Sequence, residues 1–385
     1  MTPSLNACPV CGENSIEMFF EMQNIPVHCN VLHNSRESAT GIRKGDLQLG
    51  FCRVCGHIYN YAFEKSLVTY TQAYENSLHF SPRFQRYAEE LSNDLIDRYN
   101  LHNKTIIEIG CGKGDFLKMM CEIGGNQGIG FDESFQPDLI EEKSELVTVI
   151  QDFYSDKYLK YKPDFVCCRH VLEHIPLPAA FLKNIHKLIP PECSLYFEVP
   201  NTLFTLKDLS IWDLIYEHCS YFTPQSLEYL FTSCGFEVMR LEEKYNRQFL
   251  GIEAKAVRRI SRFANSRDTA TLSQLVTSFS DNYKRKIQEW SQRIQEWKQK
   301  RIVVWGSGSK GVTFLNVLHP DAEYVVDVNT RKQGMFVAGT GQRIVAPDFL
   351  IEYKPDVVIV MNSIYQEEIA GQLRQMGTRA TIVVA

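Results

Sequence analysis

The chain has 385 residues, 44% of them hydrophobic, and a formal net charge of −5. That balance offers no basic field for a phosphate backbone, which argues against nucleic acid as a partner. No apolar run approaches the roughly 18–20 residues of a membrane span, and "MTPSLNACPVC" lacks a basic-then-apolar signal pattern, so a cytoplasmic protein of two or three domains is expected.

Residues 1–75 are rich in cysteine, aromatics and short β-like runs such as "LQLGFC". Twelve cysteines in a cytoplasmic chain read as thiols and metal ligands, not as a disulfide framework. "CPVC" (Cys8, Cys11) and "CRVC" (Cys52, Cys55) form two CxxC pairs. Each pair places two thiolates on one ion from a tight knuckle, and two knuckles complete a tetrahedral sulfur site suited to zinc. Gly12 and Gly56 follow the second cysteines, where a knuckle tolerates an unusual backbone angle. Four sulfur ligands leave no open position, so the expected role is structural, in a region with too little apolar content for its own core. His28, Cys29 and His57 lie nearby, but the two pairs make them unnecessary. "TQAYENSLHFSPRF" then brings Tyr74 and His79, and "SPRFQRYAEELSNDLIDRYN" predicts a helix with Ser81 as N-cap and Pro82 in the first turn.

From Lys104 to about Val257, strands and helices alternate, the pattern of a parallel sheet covered on both faces. "EIGCGKGDF" sets Gly110, Gly112 and Gly114 between a strand and a helix, where backbone can approach a ligand closely. Glu108 precedes this loop, and Asp132 ends the next run, "GIGFD", at the distance of a ribose-binding carboxylate. "VIQDFY" places Asp152 and Phe153 near the end of a third strand. "PDFVCCRHVLEHI" runs a fourth strand into a helix and carries Arg169, His170 and His174. "IWDLIYEHCSYFTPQSL" gathers Tyr216, Glu217, His218, Ser220 and Tyr221 before a helix capped at Thr223-Pro224. Such a polar-aromatic cluster on a loop suits a substrate site.

A long polar helix follows in "SDNYKRKIQEWSQRIQEWKQK", with Ile287, Trp290, Ile294 and Trp297 on one face for packing against a neighbouring domain. Residues 301–385 alternate again and hold a second glycine loop, Gly306, Gly308 and Gly311, with Asp327 ending the next strand. Its spacing is the dinucleotide one, so by spacing alone this unit is the better NAD candidate. The expected fold is α/β: two Rossmann-like doubly wound sheets plus a small N-terminal zinc-binding domain. The divisions are 1–75, a core at 76–257, a helical linker at 258–300 and a C-terminal domain at 301–385.

"EIGCGKGDFL", "GFDES", "QDF" and "DFVCCRHVLEHI" resemble the successive motifs of class I S-adenosylmethionine-dependent methyltransferases. With the CxxC pairs before them and "VVWGSGSKGVTFLN … VVDVNTRKQG … AGTGQRIVAP" after, nearly the whole chain is similar to the sugar C-methyltransferases of deoxysugar biosynthesis. The resemblance implies S-adenosylmethionine and structural zinc as cofactors. Gly110, Gly112 and Gly114 would line the methionine part, Glu108 would sit beneath its amino group, and Asp132 would accept the ribose hydroxyls. Asp152 would meet the adenine amine with Phe153 beside the ring, and Arg169 and His170 would border the sulfur.

The C-terminal unit of that family helps build the cleft for a nucleotide-diphosphate sugar without being a redox domain. The second loop is therefore expected to bind no NAD and to contact substrate phosphate through backbone N–H groups or Lys310. Tyr74 would lie on the substrate side. His218 would be the general base that generates an enolate, with Glu217 fixing its tautomer or anchoring substrate, and Tyr216, Tyr221 or His174 donating to the enolate oxygen. Where family members carry Tyr-His before the Glu-His pair, this chain has Ile215 and Tyr216. The implied reaction is C-methylation of a nucleotide-linked ketosugar. Methylation of another small molecule at oxygen or carbon stays open, as does a non-catalytic zinc-bearing scaffold.

Overall fold

Three sheets form along the chain in the computed structural model, which describes residues 7–68, 74–135, 144–258 and 269–385. The first begins with β1 (Ile16–Pro26), continues past helix α1 (Arg36–Thr40), and pairs β1 with β2 (Lys44–Cys52) and β2 with β3 (Ile58–Asn60), all antiparallel. Helix α2 (Pro82–Tyr99) starts where its cap predicts: Ser81 Oγ accepts from the Phe84 amide at 3.4 Å. Its buried face carries Phe84, Ala88, Leu91 and Leu95, the spacing of one helical stripe.

The middle of the chain gives β4 (Thr105–Ile109), α3 (Asp115–Gly124), β5 (Gln127–Phe131), β6 (Val147–Ile150), β7 (Phe165–Arg169), α4 (Pro178–Leu188), β8 (Ser194–Pro200), α5 (Thr202–Lys207), β9 (Ser220–Tyr221), α6 (Pro224–Ser233), β10 (Phe236–Lys244) and β11 (Phe249–Ala256). Seven of these strands line up as β10-β11-β8-β7-β4-β5-β6, with β11 antiparallel to both neighbours. Alternate side chains serve opposite layers. Ile107, Ile109 and Ile129 enter one core, whereas Ile106, Phe165 and Tyr196 pack with α2 and α3 in another. The chain leaves β4 towards β5 on one side and has β7 on the other, so a crevice opens at the carboxyl ends of β4 and β7.

Two local differences from the sequence expectation matter for the site. The fourth strand does not run straight into a helix: β7 ends at Arg169, His170 takes φ 55°, and a 3₁₀ turn at Leu172–His174 precedes α4. Strand β9 does not join the central sheet either. It pairs with β3, Tyr221 opposite Ile58 and Ser220 opposite Tyr59, so a division at residue 75 does not isolate the first sheet.

Helix α7 (Thr269–Glu296) leads to β12 (Ile302–Trp305), α8 (Ser309–Leu318), β13 (Ala322–Val326), β14 (Arg343–Val345), α9 (Phe349–Tyr353), β15 (Val357–Val360), α10 (Gln366–Gln375) and β16 (Thr381–Val384). These strands are all parallel, in the order β14-β13-β12-β15-β16. Ile302 and Val304 face one core while Val303 and Trp305 face the other, which makes this sheet doubly wound. The predicted stripe on α7 packs as expected. Trp290 is buried edge-on to Phe314 of α8, in the same core as Phe20 of β1, with Ile287, Ile294 and Trp297 partly buried beside it. No helix among the described residues is long and apolar enough to cross a membrane.

Candidate active site

A cavity of about 840 Å³ is lined by both glycine loops and by loops from all three sheets. It lies near the upper end of the roughly 300–1,000 Å³ usual for ligand pockets. Its two ends differ in charge, and the first loop makes the acidic end. Gly110 takes φ 70°, and a Cβ there would lie 2.1 Å from Val171 Cγ2. Gly112 opens onto the cavity with no atom within 4 Å of a Cβ position. Gly114 is off the cavity wall and serves as the left-handed N-cap of α3.

Asp132, just past β5, accepts from the Gly112 amide at 2.7 Å and from the Ser134 amide and hydroxyl at 2.9 and 2.6 Å. Glu108 is only 4% exposed, and its Oε2 has no partner among the described residues. Burial pushes its pKa up to about 8. Asp152 accepts from the Phe153 amide, Lys157 and Tyr158 at 2.8, 3.1 and 2.7 Å. Phe153 is 64% exposed on the cavity wall, too open for core packing. The Lys113 ammonium is committed to Glu75 at 2.6 Å. A buried acid with one unbonded oxygen, a loop carboxylate and an open aromatic face fit the ammonium, ribose and adenine of S-adenosylmethionine. A pyrophosphate would need the loop amides, and Asp132 already takes that of Gly112.

A consequence is measurable. Unliganded Glu108 is largely protonated below about pH 8, and an ammonium requires its carboxylate. S-adenosylmethionine binding is therefore expected to release about one proton near neutral pH and to tighten as pH rises towards 8. Calorimetry in buffers of different ionisation enthalpy reads that proton, and Glu108→Gln abolishes it.

At the end of β7, Arg169 lines the cavity, but Glu198 holds its charge: Nε and Nη2 donate to Oε1 at 3.1 and 2.8 Å. Glu198 is fully buried and also accepts from Tyr196 at 2.8 Å and from the Tyr87 hydroxyl. His170 Nε2 lies 3.1 Å from Glu198 and its Nδ1 3.7 Å from Glu173. Burial opposes its charge, yet Glu173 and Glu198 outweigh this and hold its pKa up at about 9.

His218 and His174 meet edge to face on the cavity wall with ring centroids 4.9 Å apart. His174 Nδ1 donates to the Glu217 carbonyl at 3.1 Å. Burial, aided by His174, drives the pKa of His218 down to about 4, so the imidazole is neutral at physiological pH. The carboxylate beside it is Glu173. One oxygen of Glu173 and one nitrogen each of His174 and His218 lie within 4.8 Å of one another. Glu173 is 2% exposed, and its Oε2 has no partner among the described residues. Burial disfavours its charge, but the bond to His170 outweighs this and holds its pKa below the usual carboxylate value.

Several residues that sequence reasoning grouped with His218 stand elsewhere. Glu217 turns its carboxylate away from the cavity, accepting from His28 Nδ1 at 3.1 Å and the Cys29 amide at 3.0 Å, so it does not orient His218. Tyr216 is buried against Phe63, and its hydroxyl accepts from the Glu64 amide at 2.8 Å. Tyr221 spends its hydroxyl on Ile215, donating to the carbonyl at 2.8 Å. Neither phenol lines the cavity, so neither can donate to an enolate there. Lys310 does line it, but its ammonium is neutralised by Asp213 at 2.7 Å and bonded to Ser210 at 3.0 Å. Tyr74 lies on the wall with its ring edge-on to His28. Glu173 and Glu198 were missed, although each leaves a trace: an acid three residues after His170, and an acid inside the apolar strand "SLYFEVP".

Away from the cavity, Cys8, Cys11, Cys52 and Cys55 bring their sulfurs together, with Cys8–Cys55 and Cys11–Cys52 each at 3.5 Å. Tetrahedral zinc with bonds of about 2.3 Å needs sulfur separations of about 3.8 Å. Both knuckles close alike: the Gly12 amide donates to Cys8 and the Gly56 amide to Cys52, each at 2.9 Å, with φ 80° and 73°. The donor set and spacing fit zinc with no position left open.

Residues 83–241 match the family model of a methyltransferase domain, and residues 251–385 match that of a C-methyltransferase C-terminal domain. The ubiquinone biosynthesis O-methyltransferase of Proteus mirabilis (strain HI4320) is 29% identical over 108 residues, 26% of this chain and 44% of that protein. The chain thus spans less than half the length of that curated relative. Among solved structures, a SAM-dependent methyltransferase from Aquifex aeolicus aligns with TM-score 0.36 and 14% identity over 46% of this chain and 95% of the other. Magnesium protoporphyrin IX methyltransferase from Synechocystis PCC 6803 with bound SAH gives 0.35 and 18% over 45% and 83%.

Proposed function

We infer, from the premise that the chain is a class I S-adenosylmethionine-dependent methyltransferase, that it methylates a carbon of a nucleotide-linked ketosugar. The observation that carries this reading is a half-buried imidazole, His218, held neutral beside Glu173 on a cavity that continues to the second glycine loop. S-adenosylmethionine, when bound, supplies an electrophilic methyl group; Glu108, Gly110, Gly112, Asp132, Asp152 and Phe153 would hold it. Carbon is nucleophilic only after a proton leaves the position beside a carbonyl. His218 accepts that proton, and Glu173 stabilises the imidazolium that results. His174 commits its Nδ1–H to the Glu217 carbonyl, which holds its ring edge to face against His218. Glu217 acts through its backbone and through the 28–29 segment, as a brace for this loop.

The match of residues 251–385 to a C-methyltransferase C-terminal domain supports carbon as the acceptor. Zinc in the four-cysteine site is structural, and twelve cysteines with no disulfide between them suit a reducing cytoplasm. Incubating the protein with a keto-sugar nucleotide in deuterium oxide, without the methyl donor, tests the reading. Deuterium is expected to wash in beside the carbonyl. Methyl transfer to a hydroxyl with no wash-in would replace C-methylation by O-methylation.

A further inference from the structure

Glu173, His174 and His218 come from two segments that meet on the cavity wall. Glu173 and His174 sit in the 3₁₀ turn after β7, and His218 lies two residues before β9. The Cys219 thiol donates to the Glu173 carbonyl at 3.4 Å, which ties the two segments together at the backbone. One carboxylate oxygen and one nitrogen of each ring lie within 4.8 Å of one another. An ion held by bonds of about 2.0–2.1 Å needs its ligand atoms roughly 3.0–3.4 Å apart. A closure of at most about 1.8 Å per pair therefore brings the set onto one ion.

The Glu173 side chain is nearly fully buried, and its Oε2 has no partner among the described residues. A buried carboxylate oxygen left unbonded is a costly acceptor. The groups behind the triad are arranged as metal sites arrange them. His174 Nδ1 donates to the Glu217 backbone carbonyl at 3.1 Å, which makes Nε2 the ligating nitrogen, and Glu173 Oε1 faces His170 Nδ1 at 3.7 Å. A ligating histidine ordinarily gives its other nitrogen to a carbonyl or carboxylate, and a ligating carboxylate is held from its far side. Two imidazoles and one carboxylate suit divalent transition ions, whereas magnesium and calcium take all-oxygen sets. Three protein ligands beside a cavity leave positions open, unlike the closed four-cysteine site.

We propose that Glu173, His174 and His218 form a second, exchangeable metal site, which takes a divalent transition ion such as zinc or cobalt and silences the enzyme while the ion is held. An ion on His218 takes the lone pair that would accept the substrate proton. The binding stands on the geometry; the silencing rests on the reading of His218 as the base.

Cobalt(II) added to the zinc-loaded full chain is the probe, read by calorimetry and by X-ray absorption at the cobalt edge. One ion is expected to bind beyond the four-cysteine zinc, with nitrogen and oxygen ligands and no sulfur, and to resist displacement by magnesium. Glu173→Gln and His218→Gln are each expected to weaken cobalt by at least about 10- to 100-fold, the cost of even an outer-shell change. Both variants are expected to keep native S-adenosylhomocysteine affinity, which reports an intact fold. Deuterium wash-in beside the carbonyl is expected to fall in step with cobalt occupancy and to return when the ion is removed. No binding beyond the four-cysteine zinc, sulfur ligands on cobalt, displacement by equal magnesium, or unchanged affinity in either variant would overturn the site. Wash-in that persists at full occupancy, when ion-free His218→Gln has lost it, would overturn the silencing and keep the base. Wash-in retained by ion-free His218→Gln would remove the base and the silencing with it, while the metal site stands on its binding.

Discussion

Replacing His218 by glutamine is expected to lower kcat/KM for methyl transfer by about 10²–10⁴-fold, the usual contribution of a general base, without changing S-adenosylhomocysteine affinity. Glutamine keeps the volume and polarity of the ring while removing the proton acceptor, so deuterium wash-in beside the carbonyl should be lost with the rate. The pH profile gives a second handle. Burial and His174 hold His218 at about pKa 4, so the acid limb of kcat/KM is expected near that pH, with the base neutral and competent above it. His174 pushes this pKa down and Glu173 pushes it up. His174→Gln should therefore move the limb to higher pH and Glu173→Gln to lower pH. Unchanged limbs in both variants would remove His218 as the base.

The second large effect is remote from the cavity. Cys52→Ala is expected to lose zinc, read by metal analysis, and methyl transfer with it. Structural zinc contributes on the order of 10–16 kcal/mol in small zinc domains, far more than the first sheet can supply alone. The path to the site is short: Cys52 ends β2, β2 pairs with β3, and β3 pairs with β9 next to His218. The Asn60 amide also donates to the Cys219 carbonyl at 3.0 Å. A displacement of about 1 Å at the base can cost about 10²-fold in rate. The cofactor end rests on the central sheet, so cofactor affinity should survive better than turnover. A zinc-free variant with native activity would show that the His218 loop does not depend on the first sheet.

How far these features could be read from residue order depends on how local their physics is. The four-cysteine knuckles, the Ser81 cap and both glycine turns are set by residues within a few positions of one another, and the sheets follow from alternation within each strand. The pairing of β9 with β3 rests on two residues and carries no periodic signal. Glu217 sits beside His218 in sequence, yet its carboxylate bonds to His28 and Cys29, while Glu173, 45 positions before His218, supplies the charge in space. Tyr216 and Tyr221 look like site phenols, but backbone groups at Glu64 and Ile215 claim their hydroxyls. Lys310 looks available beside the second loop, but Asp213 claims its ammonium.

The most direct test of the site is a crystal structure with S-adenosylhomocysteine bound. The ligand is expected between Gly112 and Asp132, its amino group on Glu108, its adenine against Phe153 and its sulfur turned towards His174 and His218. Finding it at Gly306–Gly311, or with its sulfur facing away from the two imidazoles, would contradict a methyl donor poised over a substrate activated by His218.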